Sequence, residues 1–366
     1  MVEKADSIII GGGIIGMLTA RELALGGLRV MLIDKGELGS GCSWAGGGIM
    51  SPLYPWHIPD SLQPLVSLSQ DLYPDLIASL IDTTGIDPEW LDSGVFILDC
   101  DEHEQALSWA GRQQVEIDII KPEKFDLYVK GISHKFDSAI WIPRLAQVRN
   151  PLLIKAVRKN LEQLDVKIKT HEEVSRIDIR QKRYRSVETG RGTYSSGNVV
   201  IACGAWSSHL VPELPVYPVR GQMLCFFDQD RKIKTIILYQ ETYIIPRKDG
   251  HVLIGSTTED EGYNNSVTHQ ARNELLNNAC TMYPDIREFK FIRQWSGLRP
   301  GIQGELPLVG EYPGIEGLYL NTGHFRNGLL MSAGSARILM EIMLGRKTSI
   351  SAEPYRYESR NKVLCC

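Results

Sequence analysis

The hydrophobic pattern of the first thirty-four residues predicts a β-α-β unit. Residues 7–10 form a short apolar run that stops at consecutive glycines, which is typical of a fully buried strand. Apolar positions then repeat with helical spacing from residue 14 to residue 25, and Gly26 ends this helix. A second apolar run, residues 28–33, ends at Asp34. A unit of about thirty residues has the size expected of a dinucleotide fold.

The turn between the first strand and the helix carries the spacing Gly11-x-Gly13-x-x-Gly16. Glycines at these points allow a tight turn, a close approach of the backbone to a pyrophosphate, and close packing of helix on strand. Asp34 follows at the end of the second strand, where an acidic side chain can accept hydrogen bonds from an adenosine ribose. The whole context favours a dinucleotide site over a glycine-rich turn that binds nothing.

The segment after Asp34 indicates which dinucleotide is bound. Residues 36–54 read as a loop rich in small residues and not as another helix-strand repeat. Small residues let the backbone pass close to a flat ring, which favours FAD over a nicotinamide cofactor that enters and leaves. A flexible linker is the alternative, but Trp44, Ile49 and Met50 favour an ordered loop.

The remaining elements predict an α/β (α+β composite) chain of two domains. Helical spacing returns at residues 65–81, 151–164 and 329–344, and buried strands are predicted at 94–98, 198–206 and 317–323. Short alternating segments between 215 and 256 predict an antiparallel sheet. We therefore expect a discontinuous Rossmann-like FAD-binding domain of the glutathione-reductase type (1–85, 140–214 and 305–360), an antiparallel-sheet substrate domain (86–139 and 215–304), and a flexible tail (361–366).

Composition and charge narrow the partners. The 366 residues, 43% of them hydrophobic, suffice for two domains, and 40 Lys and Arg against 44 Asp and Glu offer little general attraction to nucleic acid. No apolar run reaches the roughly 18 residues of a bilayer span, so stable membrane insertion is not expected. The seven cysteines are an odd number and are scattered along the chain, which favours a reduced, cytoplasmic protein. They do not have metal-ligand spacing, so no structural metal is expected. The oligomeric state is open, and a homo-oligomer is compatible with this composition.

Two candidate groups of chemical interest lie near the carboxyl end. Arg299 stands between apolar residues and glycine, where its planar fork suits a bidentate carboxylate contact; pairing with an internal acid is the alternative. His324 lies in a loop between a predicted strand and helix, where the helix N-terminus would favour an anionic reduced ring. It could carry a proton or contact the flavin or a backbone carbonyl.

Several segments together resemble the D-amino acid oxidase superfamily of FAD enzymes, most closely the bacterial glycine oxidases of thiamine biosynthesis. They are the first glycine motif and residues 43–56, 219–222, 297–301 and 323–328. The resemblance implies that Arg299 binds the substrate carboxylate, that Tyr243 is the active-site tyrosine and that Arg326 lies near the flavin. Residues Glu241 and Thr258 stand where relatives carry other substrate-site side chains. No cysteine corresponds to the one that tethers flavin in monomeric sarcosine oxidases, so FAD is expected to be noncovalent.

The residues expected to contact FAD form six short groups along the chain. They are Gly11, Gly13, Ile14, Ile15 and Gly16; Asp34 and Lys35; Ser43, Trp44, Ala45, Gly46, Gly47, Gly48, Ile49 and Met50; Val174; Cys203, Gly204 and Trp206; and Gly323, His324, Phe325, Arg326, Asn327, Gly328 and Leu329.

The resulting hypothesis is oxidative deamination of glycine, small amines or D-amino acids, with oxygen as acceptor. Hydride would pass from the substrate α-carbon to the flavin, and no general base is assigned. Three alternatives remain at this point. They are a D-amino acid or sarcosine dehydrogenase that uses a quinone, a flavin-dependent tRNA-modification module that uses the basic residues 176–191, and an FAD-binding protein without catalysis.

Overall fold

The computed structural model describes residues 5–358. The predicted tail, 361–366, lies outside the described residues. The strands are β1 Ser7–Ile10, β2 Val30–Ile33, β3 Leu91–Asp92, β4 Val95–Leu98, β5 Asp118–Ile120, β6 Ala139–Ile142, β7 Ala146–Gln147, β8 Lys167–Lys169, β9 Val174–Arg180, β10 Arg183–Thr189, β11 Gly192–Ser195, β12 Asn198–Ile201, β13 Val216–Phe227, β14 Ile236–Tyr239, β15 Thr242–Pro246, β16 His251–Gly255, β17 Lys290–Ile302, β18 Leu308–Glu311 and β19 Leu318–Thr322.

Nine α-helices lie between or after these strands in the described range 5–358. They are α1 Ile14–Leu25, α2 Cys42–Ala45, α3 Gln63–Thr84, α4 His103–Gln113, α5 Phe125–Tyr128, α6 Asn150–Gln163, α7 Ser207–Leu210, α8 His269–Met282 and α9 Gly328–Met343. Short 3-10 turns occupy Pro55–His57, Pro122–Lys124, Gly204–Trp206, Pro284–Glu288, Phe325–Asn327 and Glu353–Tyr355. In the range 5–358, no helix is both long enough and apolar enough to cross a bilayer.

The first sheet confirms the predicted nucleotide-binding architecture. Its order is β18-β19-β12-β1-β2-β8, with every pair parallel except β18 and β19. Helices α1, α3, α6 and α9 cover one face through a core that includes Ile9, Leu32 and Val200. The alternate residues, Ile8 and Ile10 among them, face a second core under the β9-β10-β11 sheet. Because both faces are covered, the central strands β1 and β2 are almost entirely apolar, as the sequence predicts, whereas the edge strand β8 carries Lys167 and Lys169.

The second sheet has eight strands in the order β17-β13-β16-β15-β14-β4-β6-β5. It is antiparallel except at one point, where β14 pairs with β4 in parallel. Distinct cores cover its two faces. The division of the chain into two domains stays a prediction; strand β6, Ala139–Ile142, belongs to this second sheet and crosses the expected boundary at 140.

Three elements differ from the sequence expectation. The second strand begins at Val30 and not at residue 28, because Arg29 is held by Asp6 through backbone and side-chain hydrogen bonds of 2.7 to 3.0 Å. The predicted loop 36–54 contains the one-turn helix α2. The strand expected over 198–206 ends at Ile201, and the 3-10 turn Gly204–Trp206 follows it.

Candidate active site

A continuous cavity of about 780 Å³ reaches from the carboxyl ends of β1 and β2 to β15 and β17. Asp34 and Glu172 line one end, and Tyr54 and Glu241 line the other. The volume falls within the usual range for ligand sites, and the position beyond the ends of parallel strands is where α/β sheets bind ligands. The cavity therefore joins the nucleotide fold to the second sheet.

The first glycine turn is shaped by its contacts with Asp34 and with Ala202, the residue that follows strand β12. Gly11 has φ +107°, and a Cβ there would lie 2.3 Å from the carbonyl oxygen of Ala202. A Cβ on Gly16 would overlap the carbonyl oxygen of Gly11. Asp34 accepts hydrogen bonds from the amides of Gly12 at 2.5 Å and Gly36 at 2.7 Å. Burial raises the pKa of this carboxyl. The turn is thus closed on the protein side and can be built only with glycine.

The N-terminus of helix α1 opens onto the cavity. A Cβ on Gly13 would meet only the hydroxyl of Ser43, at 3.3 Å, so space remains beside this backbone. The Ser43 hydroxyl also accepts a hydrogen bond from the amide of Ile14, at 2.9 Å. The first turn of the helix carries no acidic side chain. This end of the helix therefore keeps its positive character and suits a pyrophosphate.

The glycine-rich loop that follows is held in place from two sides. Asn150 donates from Nδ2 to the carbonyl oxygen of Ser43 at 2.8 Å, and Arg247 donates from Nη2 to that of Gly47 at 2.8 Å. The Arg247 guanidinium is buried, and burial lowers its pKa to about 10, so it stays charged at neutral pH. A Cβ on Gly47 would lie 2.7 Å from Ile245. The loop is consequently ordered and close-packed, not a flexible linker.

His324 presents unused hydrogen-bonding capacity to the cavity. Its side chain is 1% exposed, and neither ring nitrogen has a hydrogen-bond partner among residues 5–358. The Oδ1 atom of Asn321 is likewise buried without a partner, and both residues line the cavity. Buried polar atoms without partners cost free energy, so these atoms fit a polar ligand that would pair with them. Burial lowers the pKa of His324 to about 3, so the ring is neutral near pH 7 and does not serve there as an imidazolium acid.

The neutral state of His324 predicts a pH-dependent stability. Between pH 6.5 and about 3 the unfolded chain takes up a proton at this ring and the folded chain does not. The free energy of unfolding should therefore fall with decreasing pH in this window, by about 1.4 kcal/mol per pH unit from this group. Urea unfolding of the wild-type protein and of the His324→Asn variant measures the difference. Parallel pH profiles for the two proteins would show that the ring titrates normally.

Arg299 lies in the wall of the same cavity, on β17. It packs across the backbone of Gly221 on the neighbouring strand β13, where a Cβ would come within 2.3 Å of the guanidinium. Its Nη1 donates to the carbonyl oxygen of Thr257 at 3.0 Å, and its Nη2 donates to the hydroxyl of Ser256 at 2.6 Å. Both of these partners are uncharged, so the internal acid considered from the sequence is not what holds Arg299. The positive charge is left for a ligand.

Tyr243 forms the adjoining part of the wall. The ring is buried against the backbones of Gly47 and Gly255, where a Cβ would approach it to 3.3 Å and 2.8 Å. Cys42 also lines the cavity, and burial raises the pKa of its thiol while the charge of Arg299 opposes this shift. The wall beside Arg299 therefore combines one guanidinium with largely apolar groups.

A charged pair crosses the mouth of the cavity. Arg326 donates from Nη1 to Glu241 Oε2 at 3.1 Å and from Nη2 to the hydroxyl of Thr258 at 3.2 Å. Arg326 lies in the turn before α9, and Glu241 lies between β14 and β15. The pair joins the turn before α9 to the second sheet, and both side chains are partly exposed. The structure thus brings Arg326, predicted to lie near the flavin, together with the two predicted substrate-site residues Glu241 and Thr258.

Most predicted site residues line the cavity. They are Gly11, Gly13, Ile14, Ile15, Asp34, Lys35, Ser43, Ala45, Gly46, Gly47, Gly48, Ile49, Val174, Cys203, Gly204, Trp206, Glu241, Tyr243, Arg299, His324, Phe325, Arg326, Asn327, Gly328 and Leu329.

Five predicted residues do not line the cavity, and their packing explains why. Gly16 packs α1 on the glycine turn, and Met50 is buried in the core under α3. The ring of Trp44 packs edge-on to that of Trp295, with centroids 5.6 Å apart. Gly323, at φ +78°, packs against Ile302. The hydroxyl of Thr258 accepts a hydrogen bond from Arg326.

Sequence reasoning missed four residues that shape the site. Ser256 and Thr257 hold Arg299, and Asn150 and Arg247 hold the glycine-rich loop. None lies in a recognisable motif. The signal that could have drawn attention to Arg247 is an arginine directly after the apolar run of β15.

Comparison with known proteins agrees with this geometry. The model of the family described as FAD dependent oxidoreductase matches residues 6–342. The chain is 41% identical to a glycine oxidase of Pseudomonas aeruginosa, over 95% of this chain and 97% of the relative. It is 27% identical to a bifunctional protein ThiO/ThiG of Trichormus variabilis, of which it covers 55%. The crystal structure of glycine oxidase from Geobacillus kaustophilus superimposes with a TM-score of 0.92 at 27% identity, covering 97% of this chain and 98% of that one.

The site and the comparisons lead to one assignment. The open helix N-terminus, the glycine turn under Asp34 and the unpaired polar atoms of His324 and Asn321 fit a bound flavin dinucleotide. The chain belongs to the family of FAD-dependent oxidoreductases.

Proposed function

We propose that this enzyme catalyses the oxidative deamination of glycine and of other small amines or D-amino acids, with molecular oxygen as acceptor. Glycine, oxygen and water would give glyoxylate, ammonia and hydrogen peroxide; the imine could instead be consumed in thiazole synthesis for thiamine. The observation that carries the proposal is the position of Arg299, a guanidinium with only uncharged partners in the wall of a cavity that suits FAD. The names of the similar glycine oxidases and of the ThiO/ThiG protein support it.

The chain's own residues bind and orient the substrate in this proposal. Arg299 presents a planar fork that can hold a carboxylate through two parallel hydrogen bonds and so direct the α C–H into the cavity. Bound FAD supplies the oxidant that accepts a hydride from that carbon. Tyr243, Met223 and Cys42 make a largely apolar wall that disfavours an ammonium group and so favours the neutral amine. A separate general base is not assigned.

We propose that FAD is held noncovalently. Cys42 and Cys203 line the cavity, but a cysteine must be deprotonated to act as a nucleophile. Burial raises the pKa of the Cys42 thiol and raises that of Cys203 to about 12. Both thiols are therefore protonated near pH 7. Release of all flavin by mild denaturation would agree with this proposal.

The partners proposed for the enzyme are a small amino acid and oxygen, without nucleic acid, in the cytoplasm; a homo-oligomer remains compatible with the fold. Three of the basic residues in the segment 176–191, which would form the RNA footprint, have acidic partners: Arg176 pairs with Glu188, Arg180 with Asp178, and Arg183 with Glu316. Paired side chains of this kind leave little net field for a phosphate backbone. This pairing supports the amine oxidase over the tRNA-modification module.

The choice between oxidase and dehydrogenase is tested by the oxidative half-reaction. We expect the glycine-reduced enzyme to be reoxidised by oxygen at least as fast as it turns over, with one hydrogen peroxide formed per glyoxylate. Stopped-flow mixing with oxygenated buffer, after reduction by glycine, sarcosine, D-alanine or D-proline in turn, measures this rate and ranks the substrates. Slow reoxidation by oxygen combined with fast reoxidation by a quinone would identify a dehydrogenase instead.

A further inference from the structure

A buried polar network lies directly behind Arg299, outside the cavity. Side chains alternate along strand β13, so Gly221 and Met223 face the cavity while Arg220 and Gln222 face the opposite side. Arg220 is 3% exposed and Gln222 is fully buried. Both contact Glu259, which forms an isolated bridge with Arg220 through the backbone. None of Arg220, Gln222 and Glu259 lines the cavity, and the reaction proposed above does not use them.

Glu259 is the centre of this network. Its Oε2 accepts from Arg220 Nη2 at 2.5 Å and Nε at 3.1 Å, and its Oε1 accepts from Gln222 Nε2 at 2.9 Å and from the hydroxyl of Thr257. Burial raises the pKa of Glu259, but the hydrogen bonds from Thr257, Arg220 and Gln222 outweigh it and hold the pKa below its ordinary value. Glu259 is therefore ionised at neutral pH, and Arg220 neutralises it.

Thr257 connects this network to the guanidinium of Arg299. Its hydroxyl donates to Glu259 and accepts from the amide of Gln222 at 2.8 Å, while its backbone carbonyl accepts from Arg299 Nη1 at 3.0 Å. The hydrogen bond from the Thr257 hydroxyl to Glu259 therefore helps to fix the Thr257 carbonyl that Arg299 contacts. The neighbouring Ser256 hydroxyl, which accepts from Arg299 Nη2, is fixed by the same peptide segment.

The charges in the network are arranged so that Arg299 stays available. Arg220 and Glu259 satisfy each other at 2.5 Å, and Arg299 is held by neutral oxygens alone. A carboxylate placed directly on Arg299 would compete with the substrate carboxylate for the same fork. Orientation by way of Thr257 aligns the fork and leaves its charge unpaired.

We propose that Glu259, neutralised by Arg220 and acting through Thr257, is a positioning residue that sets the affinity of Arg299 for the substrate carboxylate. The inference rests on the proposed function, in which Arg299 binds that carboxylate. It assigns to Glu259 an effect on carboxylate binding and on KM, and none on FAD retention or on kcat at saturating substrate.

Two variants test the inference in the FAD-loaded enzyme, with acetate as the carboxylate probe. Acetate binding is measured from the change in flavin absorbance. The dissociation constant of acetate should rise about tenfold in the Glu259→Gln variant and in the Thr257→Val variant, as expected for one misplaced hydrogen bond. The KM for glycine should rise in parallel, with kcat and FAD content unchanged. Thr257→Ser keeps the hydroxyl and should bind acetate as the wild type does.

Control variants separate the possible failures. Glu261→Gln removes a second carboxylate, 3.8 Å from Arg220 and without contact to Thr257, and should leave acetate binding unchanged.

If Arg299→Met weakens acetate binding but Glu259→Gln and Thr257→Val do not, Glu259 is not a positioning residue and the proposed function stands. If Arg299→Met changes neither acetate binding nor the KM for glycine, the proposed function itself is wrong. Loss of FAD or of kcat in both the Glu259→Gln and Thr257→Val variants would show a general structural role and overturn the inference. Should Glu259→Gln not fold, the Thr257→Val and Thr257→Ser pair decides.

Discussion

Replacing Arg299 with methionine should lower kcat/KM for glycine by about 30- to 4,000-fold, which corresponds to about 2 to 5 kcal/mol for truncating one partner of a buried charge pair. Methionine keeps the aliphatic part of the side chain, so strand β17 should pack as before. The fork that would hold the carboxylate is lost, while the cavity around it remains. Steady-state kinetics with glycine, together with the flavin content of the purified variant, measure the effect.

Arg293 supplies a matched control on the same strand. Its guanidinium lies over the rings of Trp44 and Trp295, at 4.7 Å and 5.2 Å from their centroids, and does not line the cavity. Arg293→Met should therefore retain glycine oxidation within about twofold, as surface changes away from a site usually do. Glycine kinetics that are equal in the two variants would show that the position of Arg299 in the cavity has no bearing on substrate binding.

The second large effect is expected from Gly11→Ala, which should abolish retention of FAD. The added Cβ would lie 2.3 Å from the Ala202 carbonyl oxygen, at a backbone φ of +107° that L side chains rarely adopt. Such strain costs about 1 to 3 kcal/mol before the steric overlap is counted, so the glycine turn must move away from the phosphate position. The ratio of flavin to protein absorbance after purification, and an FAD titration of the apoprotein, measure the loss.

A glycine-to-alanine change outside the turn serves as a control, because it shows whether any such change lowers the flavin content or only one in this turn. Gly111 lies on α4, and a Cβ there would meet nothing within 4 Å. Gly111→Ala should keep its flavin and gain up to about 1 kcal/mol of stability, because alanine is the better helix former. A Gly11→Ala protein that is purified with the flavin content of the wild type would contradict the assignment of this turn to the cofactor.

Local pattern explains how much of the fold could be predicted from the sequence. Strand β1 and helix α1 have the predicted bounds, because the hydrophobic period and the glycine positions that determine them are local signals, read within a few residues. Asp34 could be placed for the same reason, since it ends the second strand of one β-α-β unit. The parallel pairing of β14 with β4 could not be predicted, because the two strands are far apart in the chain and no turn joins them.

Cavity-lining residues were predictable where they share a motif and were less so where the direction of a side chain matters. The glycine-rich segment was expected to contact FAD throughout, but Trp44 and Met50 point into protein packing. A motif states which residues are adjacent and does not state which side each one faces. Ser256 and Thr257 contact Arg299, about forty positions away in the chain, because β13 pairs with both β16 and β17; Glu259 contacts Thr257. Such partners leave no local signal.

The most direct test of the account is an anaerobic titration of the FAD-loaded enzyme with glycine. The account predicts that glycine bleaches the flavin absorbance and that hydrolysis of the imine product gives one glyoxylate and one ammonia per flavin reduced. It also predicts that Arg299→Met requires at least 30-fold more glycine for the same bleaching. A flavin spectrum that glycine, sarcosine, D-alanine and D-proline all leave unchanged would contradict the claim that this cavity oxidises a small amino acid held by Arg299.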